Sequence, residues 1–155
     1  MKPALILTLG CAMVSCWATR AIAQTSLDGD LTLSNSNPKG SLTGTAIGSH
    51  DLPSAVLGRS TDQAGHDCLG FSSLSPNHRL TLQTPIANLT LSINSGQDDT
   101  TLAVRGPNGL LLCGDDTVGT ASAQVTAPQW PAGTYEVWVG TFKPGMRSPY
   151  RLTAE

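Results

Sequence analysis

The sequence predicts an all-β fold, an antiparallel, jelly-roll-like β-sandwich of about seven to eight short strands. Three observations predict it. Apolar and polar side chains alternate with a period of two in several short segments between residues 79 and 152. Turn-forming groups, above all Gly106-Pro107-Asn108-Gly109, separate those segments. No window carries the 3.6-residue period that a packed helix requires. The composition agrees, since 16 Gly, 10 Pro, 18 Thr and 15 Ser in 155 residues favour short strands joined by turns.

Residues 1–23 read as a removable signal peptide. Met1-Lys2 supplies a positive charge, residues 4–17 form an apolar run, and Ala21-Ile22-Ala23 gives the small-x-small cleavage pattern, with Gln24 as the mature start. The apolar run is too short for a permanent span, so no transmembrane segment is expected. An alternative takes Met13-Val14-Ser15-Cys16 as a loose lipoprotein box with Cys16 lipidated. Either way the chain is expected to be exported from a bacterial cell, as a monomer in the periplasm or outside. The rest of the chain suffices for one domain. Without the leader it carries seven basic against eleven acidic side chains, a net charge of -4. It has no Lys/Arg cluster to displace counterions, which excludes nucleic acid as a partner.

Loss of Cys11 and Cys16 with the leader leaves Cys68 and Cys113. Two thiols in an exported domain without a CxxC motif read as one disulfide. The alternative is a nucleophilic or metal-bound thiolate.

Residues 24–67 are rich in Ser, Thr, Gly and Asn, with isolated apolar residues such as Leu27, Leu42 and Ile47. They read as an irregular N-terminal segment packed on the domain or partly disordered. Within it, Leu31-Thr32-Leu33 suggests a short strand and residues 53–57 a turn of helix.

Residues 68–155 are the sandwich proper. Leu80 and Leu82 alternate with Arg79, Thr81 and Gln83 until Pro85 stops the strand. Leu89, Leu91 and Ile93 alternate with Thr90 and Ser92, and Asn94-Ser95-Gly96 turns the chain. Leu102 and Val104 precede the Gly-Pro-Asn-Gly turn and residues 110–113 follow it, which predicts a hairpin. Residues 122–126 are a weaker strand. Pro131-Ala132-Gly133 then leads into residues 134–142, and residues 150–152 close the fold.

These residues also carry a resemblance. Residues 99–109, then Cys113 and Asp115-Asp116, then Pro131-Ala132-Gly133-Thr134-Tyr135-Glu136-Val137-Trp138-Val139-Gly140, then Tyr150-Arg151-Leu152 occur in an order that resembles the bacterial pre-peptidase C-terminal (PPC-like) domain. Cys68-Leu69-Gly70-Phe71 is similar to the opening of small exported, stand-alone versions. The resemblance implies a jelly-roll-like sandwich that is not itself catalytic. It further implies a part in secretion, localisation or binding to a protein or a polymer such as collagen or chitin. An accessory or binding module is therefore expected. Alternatives are a calcium-dependent carbohydrate-binding or adhesion module, and a peptidase-associated protein or hydrolase.

Candidate site residues follow from the chemistry. A serine hydrolase needs a histidine base oriented by an acid. His50, His66 and His78 come without a G-x-S-x-G elbow, so no catalytic residue is assigned and no cofactor is required. Asp98-Asp99 and Asp115-Asp116 flank the predicted hairpin and fall at one end of it. Four neighbouring carboxylates repel, and Ca²⁺ with its oxygen ligands would relieve that. Some members of the resembled family bind calcium, so Ca²⁺ is the one cofactor considered. Alternation in residues 134–142 puts Tyr135, Val137 and Val139 in the core and Glu136, Trp138 and Phe142 on the opposite face. That face is either an open aromatic platform for a polysaccharide or protein ligand, or one covered by the N-terminal segment through Leu31, Leu33 or Ile47. The side taken by Trp130 is left unassigned. Asn88-Leu89-Thr90 matches a glycosylation acceptor only by chance.

Overall fold

The computed structural model describes residues 28–117 and 119–155. The expected leader, Cys16 and the Gln24 start lie outside the described residues. Eleven strands form two sheets packed face to face. They are β1 (Gly29–Leu33), β2 (Gly40–Ile47), β3 (His50–Asp51), β4 (Phe71–Ser72), β5 (His78–Leu82), β6 (Ile86–Asn94), β7 (Thr100–Arg105), β8 (Leu111–Gly114), β9 (Gln124–Trp130), β10 (Gly133–Thr141) and β11 (Arg147–Ala154). No α-helix occurs among the described residues, only a π-helical turn at Leu52–Leu57 and a 3-10 turn at Pro107–Gly109. The all-β sandwich expected from period-two alternation is the fold.

The larger sheet is built on β10. One edge of β10 pairs with β5 through Gly133↔Leu82 to Val137↔His78, and further along with β4 through Thr141↔Phe71. Its other edge pairs with β7, and β7 pairs with β8. The smaller sheet runs in the order β2-β11-β6-β9. The predicted hairpin is β7–β8, and its turn holds Asn108 and Gly109 at φ of 57° and 76°. Those left-handed angles are why Asn and Gly stand there.

Two expectations are corrected. Residues 24–67 are expected as an irregular segment, but the described part, 28–67, is not an irregular appendage, because β1, β2 and β3 all fall within it. β2 lines up with β11 from Ala154↔Gly40 to Arg147↔Ile47, making it an edge strand of the smaller sheet. Its inward residues are Leu42, Gly44 and Ala46, two of them small, so little hydrophobic alternation marks it. A Cβ on Gly44 would meet the Asp28 carboxylate and the Tyr150 hydroxyl, which explains the glycine. The second correction is that pairing is not wholly antiparallel: β1 runs parallel to β5. The chain leaves the larger sheet after β1, contributes β2 to the other sheet, and returns to lay β5 alongside β1 in the same direction.

The main core lies between the sheets and includes Leu33, Leu82, Leu89, Leu102, Val104, Trp130, Tyr135, Val137, Val139 and Leu152. Trp130 is fully buried, and its indole N–H donates to the Leu89 carbonyl at 2.9 Å. A buried aromatic with its donor satisfied stabilises by about 2–3 kcal/mol. Residues 124–130 continue the strand that the sequence predicts only as far as residue 126, because Pro128 breaks the local signal while standing where β9 has no second partner.

Polar groups seal the seam between the layers. On β10, between the partners β5 and β4, the Val139 N–H is taken by the Asn77 side-chain oxygen at 2.9 Å. His78 is fully buried: its Nδ1 faces the Gly29 carbonyl at 3.2 Å and its Nε2 faces the Tyr150 hydroxyl at 2.8 Å. A neutral imidazole, donating at one nitrogen and accepting at the other, fits both contacts and ties β1 and β5 to β11.

Burial lowers the His78 pKa, outweighing the Gly29 carbonyl and the charges of Asp28 and Asp30, which raise it. The folded state therefore holds His78 neutral. Its contribution is complete above the unfolded pKa of about 6.5 and is lost as the pH falls toward the lowered folded value. Melting measured from about pH 8 down to about pH 5 should show stability falling by up to about 1.4 kcal/mol per pH unit for this one proton. His78→Gln should be less stable at neutral pH and should flatten that fall.

Candidate functional site

The two carboxylate pairs do not act as four. The β7–β8 register, Leu102↔Gly114, brings Asp99 and Asp115 to one end of the hairpin. Asp99, Asp115 and Asp116 each offer an oxygen within 4.8 Å of the others. Asp98 is separately engaged, accepting from the Ser148 hydroxyl at 2.7 Å.

Within the trio, Oδ1 of Asp99 and Oδ1 of Asp115 are buried without a hydrogen-bond donor. Burial and the neighbouring Asp116 push up the pKa of both; Asp99 adds to the effect at Asp115, and Lys143 moderates it at Asp99. Buried carboxylate oxygens without donors are costly. Three carboxylates and two unpartnered oxygens are the donor set a hard divalent cation takes, so these residues fit calcium.

A cleft of about 740 Å³ opens beside this end, between the edge strands β8 and β9. His66, Asp67 and Leu69 form one wall, and Thr126 and Pro128 the other. At its closed end the sheets touch: a Cβ on Gly114 would collide with the Gln124 carbonyl. The outer edge of β8 is capped by side chains, with Leu111 N–H donating to Gln63 at 2.9 Å and Cys113 N–H to Asp62 at 3.2 Å. Asp62 also accepts from the backbone of Ala64 and His66 and faces His66 Nδ1 at 3.0 Å. Burial pushes the Asp62 pKa up, but these hydrogen bonds outweigh it and leave it lowered. His66 is thus held by Asp62 rather than by its sequence neighbour Asp67. His50 meets the Ser49 hydroxyl at 2.9 Å, with both residues exposed.

The open aromatic platform is not present. Trp138 is 2% exposed and belongs to a second apolar cluster with Leu52, Leu57, Cys68, Ala103, Leu111 and Cys113. The N-terminal segment does cover this face, but through Leu52 and Leu57, next to Cys68, and not through the expected residues: Leu31 and Leu33 pack in the main core, and Ile47 lies on β2 in the other sheet. Arg105 completes the cover. Its guanidinium lies 5.1 Å from the Trp138 ring centroid, donates to the Val56 and Leu57 carbonyls, and pairs with Glu136 at 3.8 Å. Phe142 is exposed but follows the end of β10, separated from Trp138.

The expected Cys68–Cys113 disulfide is formed, with Cα atoms 5.1 Å apart across a 45-residue separation. It fastens residues 52–68 onto the outer face of β7, β8 and β10. Replacing both cysteines by alanine should cost about 4 kcal/mol in the chain-entropy account. The covering segment should loosen first, so acrylamide quenching should report a newly accessible tryptophan at temperatures below global melting. Reduction of the native protein should reproduce both changes.

No family model matches the chain, and no curated protein matches it. Among solved structures it is similar to the pre-peptidase C-terminal domain of collagenase from Bacillus anthracis. The identity is 10% and the TM-score 0.47, over 81% of this chain and 94% of that one.

Proposed function

We propose that the chain is an exported, non-catalytic β-sandwich module that binds a protein or a polymer. One observation carries this reading. Two of the three histidines are engaged in holding the sandwich together, while a whole sheet face stands in solvent. His78 is locked between Gly29 and Tyr150, and Asp62 and His66 pin a loop to the edge of β8. Among the described residues no serine, histidine and acid follow one another in hydrogen-bond contact. By contrast, the outward side chains of β2, β6, β9 and β11 cover nothing. Export is supported by the disulfide, which belongs to an oxidising compartment. No helix of the described residues is long and apolar enough to cross a membrane. Screens with chromogenic esters and casein should find no turnover, and turnover abolished by His66→Ala would replace this reading with a hydrolase.

The acidic trio favours a second reading, a calcium-dependent module. Asp99, Asp115 and Asp116 would hold the ion, which would supply the positive charge their buried oxygens lack. The raised pKa values of Asp99 and Asp115 mean that their ionised forms destabilise the fold at neutral pH, a cost relieved as the pH falls toward the carboxylate range. Asp115→Asn in chelator should therefore raise the melting temperature by about 2–4 °C at neutral pH. Millimolar Ca²⁺ should raise it for the unaltered chain and not for Asp115→Asn. A melting temperature insensitive to Ca²⁺ in both would end the calcium reading.

A further inference from the structure

We infer that the outer face of the four-stranded sheet is a docking surface for a carboxylate-bearing polysaccharide, with Arg147 and Arg151 as its anion contacts. The inference rests on the binding-module reading and names that module's surface and ligand class. The register assembles this face in transverse rows. Ser41, Thr153, Ser92 and Gln124 lie side by side across β2, β11, β6 and β9. Thr43, Arg151 and Asn94 form the next row, Thr45 lies beside Pro149, and Ile47 beside Arg147. Thr90 pairs with Thr126 on the other side, their hydroxyls 3.0 Å apart. Burial alternates along β11, with Arg147, Pro149 and Arg151 exposed and Ser148, Tyr150 and Leu152 buried, so these side chains point outward.

Charge selects the partner. The chain without its leader is net acidic, yet the charged side chains that β2, β6, β9 and β11 turn outward are Arg147 and Arg151; of the neighbouring carboxylates, Asp98 is engaged by the Ser148 hydroxyl and Glu155 follows the far end of β11 from Arg147. Neither arginine forms an ion pair among the described residues. Arg151 makes one hydrogen bond, to the Ser41 hydroxyl at 3.3 Å. It borders a shallow notch of about 560 Å³ with Thr43, Thr45, Asn94, Ser95 and Pro149, where β11 runs on past the end of β6. A guanidinium beside hydroxyl and amide groups matches a carboxylate flanked by sugar hydroxyls. Strands about 4.8 Å apart set the spacing of those hydroxyls across the face. The rows carry no aromatic residue. That disfavours both a protein partner, whose interface cores are rich in aromatics, and stacking of a neutral sugar.

Affinity electrophoresis of the mature chain through gels containing polygalacturonate tests this. The unaltered protein should be retarded, and Arg147→Gln with Arg151→Gln should weaken binding about tenfold, as expected for two solvent-exposed ion pairs lost together. Arg59→Gln with Lys143→Gln removes the same charge elsewhere and should leave retardation unchanged, with folding of both doubles checked by melting. Equal weakening in both doubles, equal retardation by polyphosphate, or no retardation by polygalacturonate would overturn the inference. So would a dimer of the unaltered chain that the Arg147/Arg151 double abolishes, which would give the face to a second copy. Retardation by neutral polysaccharides alone would overturn this inference and leave the binding-module reading standing. Failure to bind any polymer or envelope protein would remove both.

Discussion

A strand that is apolar on both faces cannot lie at a surface, and β10 is such a strand. Val137 and Val139 face the space between the sheets, while Trp138 faces away from it, and all three are buried. The sandwich therefore needs a third layer on one side, over β10 and its neighbours β7 and β8. Residues 52–68 supply it, held by the Cys68–Cys113 bond, the Leu52 and Leu57 contacts and the Arg105 guanidinium over the indole. The rest follows from this cover: the larger sheet is closed to solvent on both sides where β7, β8 and β10 meet, whereas Asp30 and Thr32 on β1 stay exposed and the smaller sheet keeps an open outer face.

Much of this is legible from alternation alone. β5, β6, β7, β10 and β11 are marked by period-two patterns, and β8, an unbroken apolar run, by the Pro-Asn-Gly turn that precedes it. β2 is not, because its inward positions are small wherever Tyr150 and Asp28 crowd it. The covering of Trp138 is written less directly. Cys113 alternates with Leu112, so it shares the outer face with Leu111, and a disulfide to Cys68 obliges the upstream chain to cross that face. Arg105, two residues from Ala103 on the same side, is the further signal. The Asn77 and His78 contacts leave no sequence mark, since a polar residue buried at a strand end looks the same as one in a solvated turn.

The interior and the acidic end treat polar groups in opposite ways. Asp62 accepts from three backbone N–H groups and faces an imidazole, which makes a nearly buried carboxylate tolerable and lowers its pKa. Asp99 and Asp115 are less buried, yet each keeps one oxygen without a donor beside a like charge, and their pKa values rise. Burial acts in the same direction in all three, so the difference lies in the donors. The sequence shows four aspartates in two adjacent pairs and cannot show which of them has donors. Asp98 is taken out of the group by the Ser148 hydroxyl, which donates to it from β11.

The surface chemistry has a consequence for how such a molecule meets a large partner. Charged side chains make up 13% of the chain, and Ser and Thr carry much of the polar surface on the smaller sheet. Hydroxyl and amide groups keep an apolar core in solution without a strong long-range field. A highly acidic protein would be repelled by an anionic polymer before any contact formed. Here the modest net charge makes that repulsion small, and at physiological ionic strength it is screened within about 8 Å. For the anionic polymer proposed above, two arginines set among hydroxyls would then be enough to decide which face turns toward it. Orientation would come from the local asymmetry of charge, and the rows of hydroxyls would act only after that face had been presented.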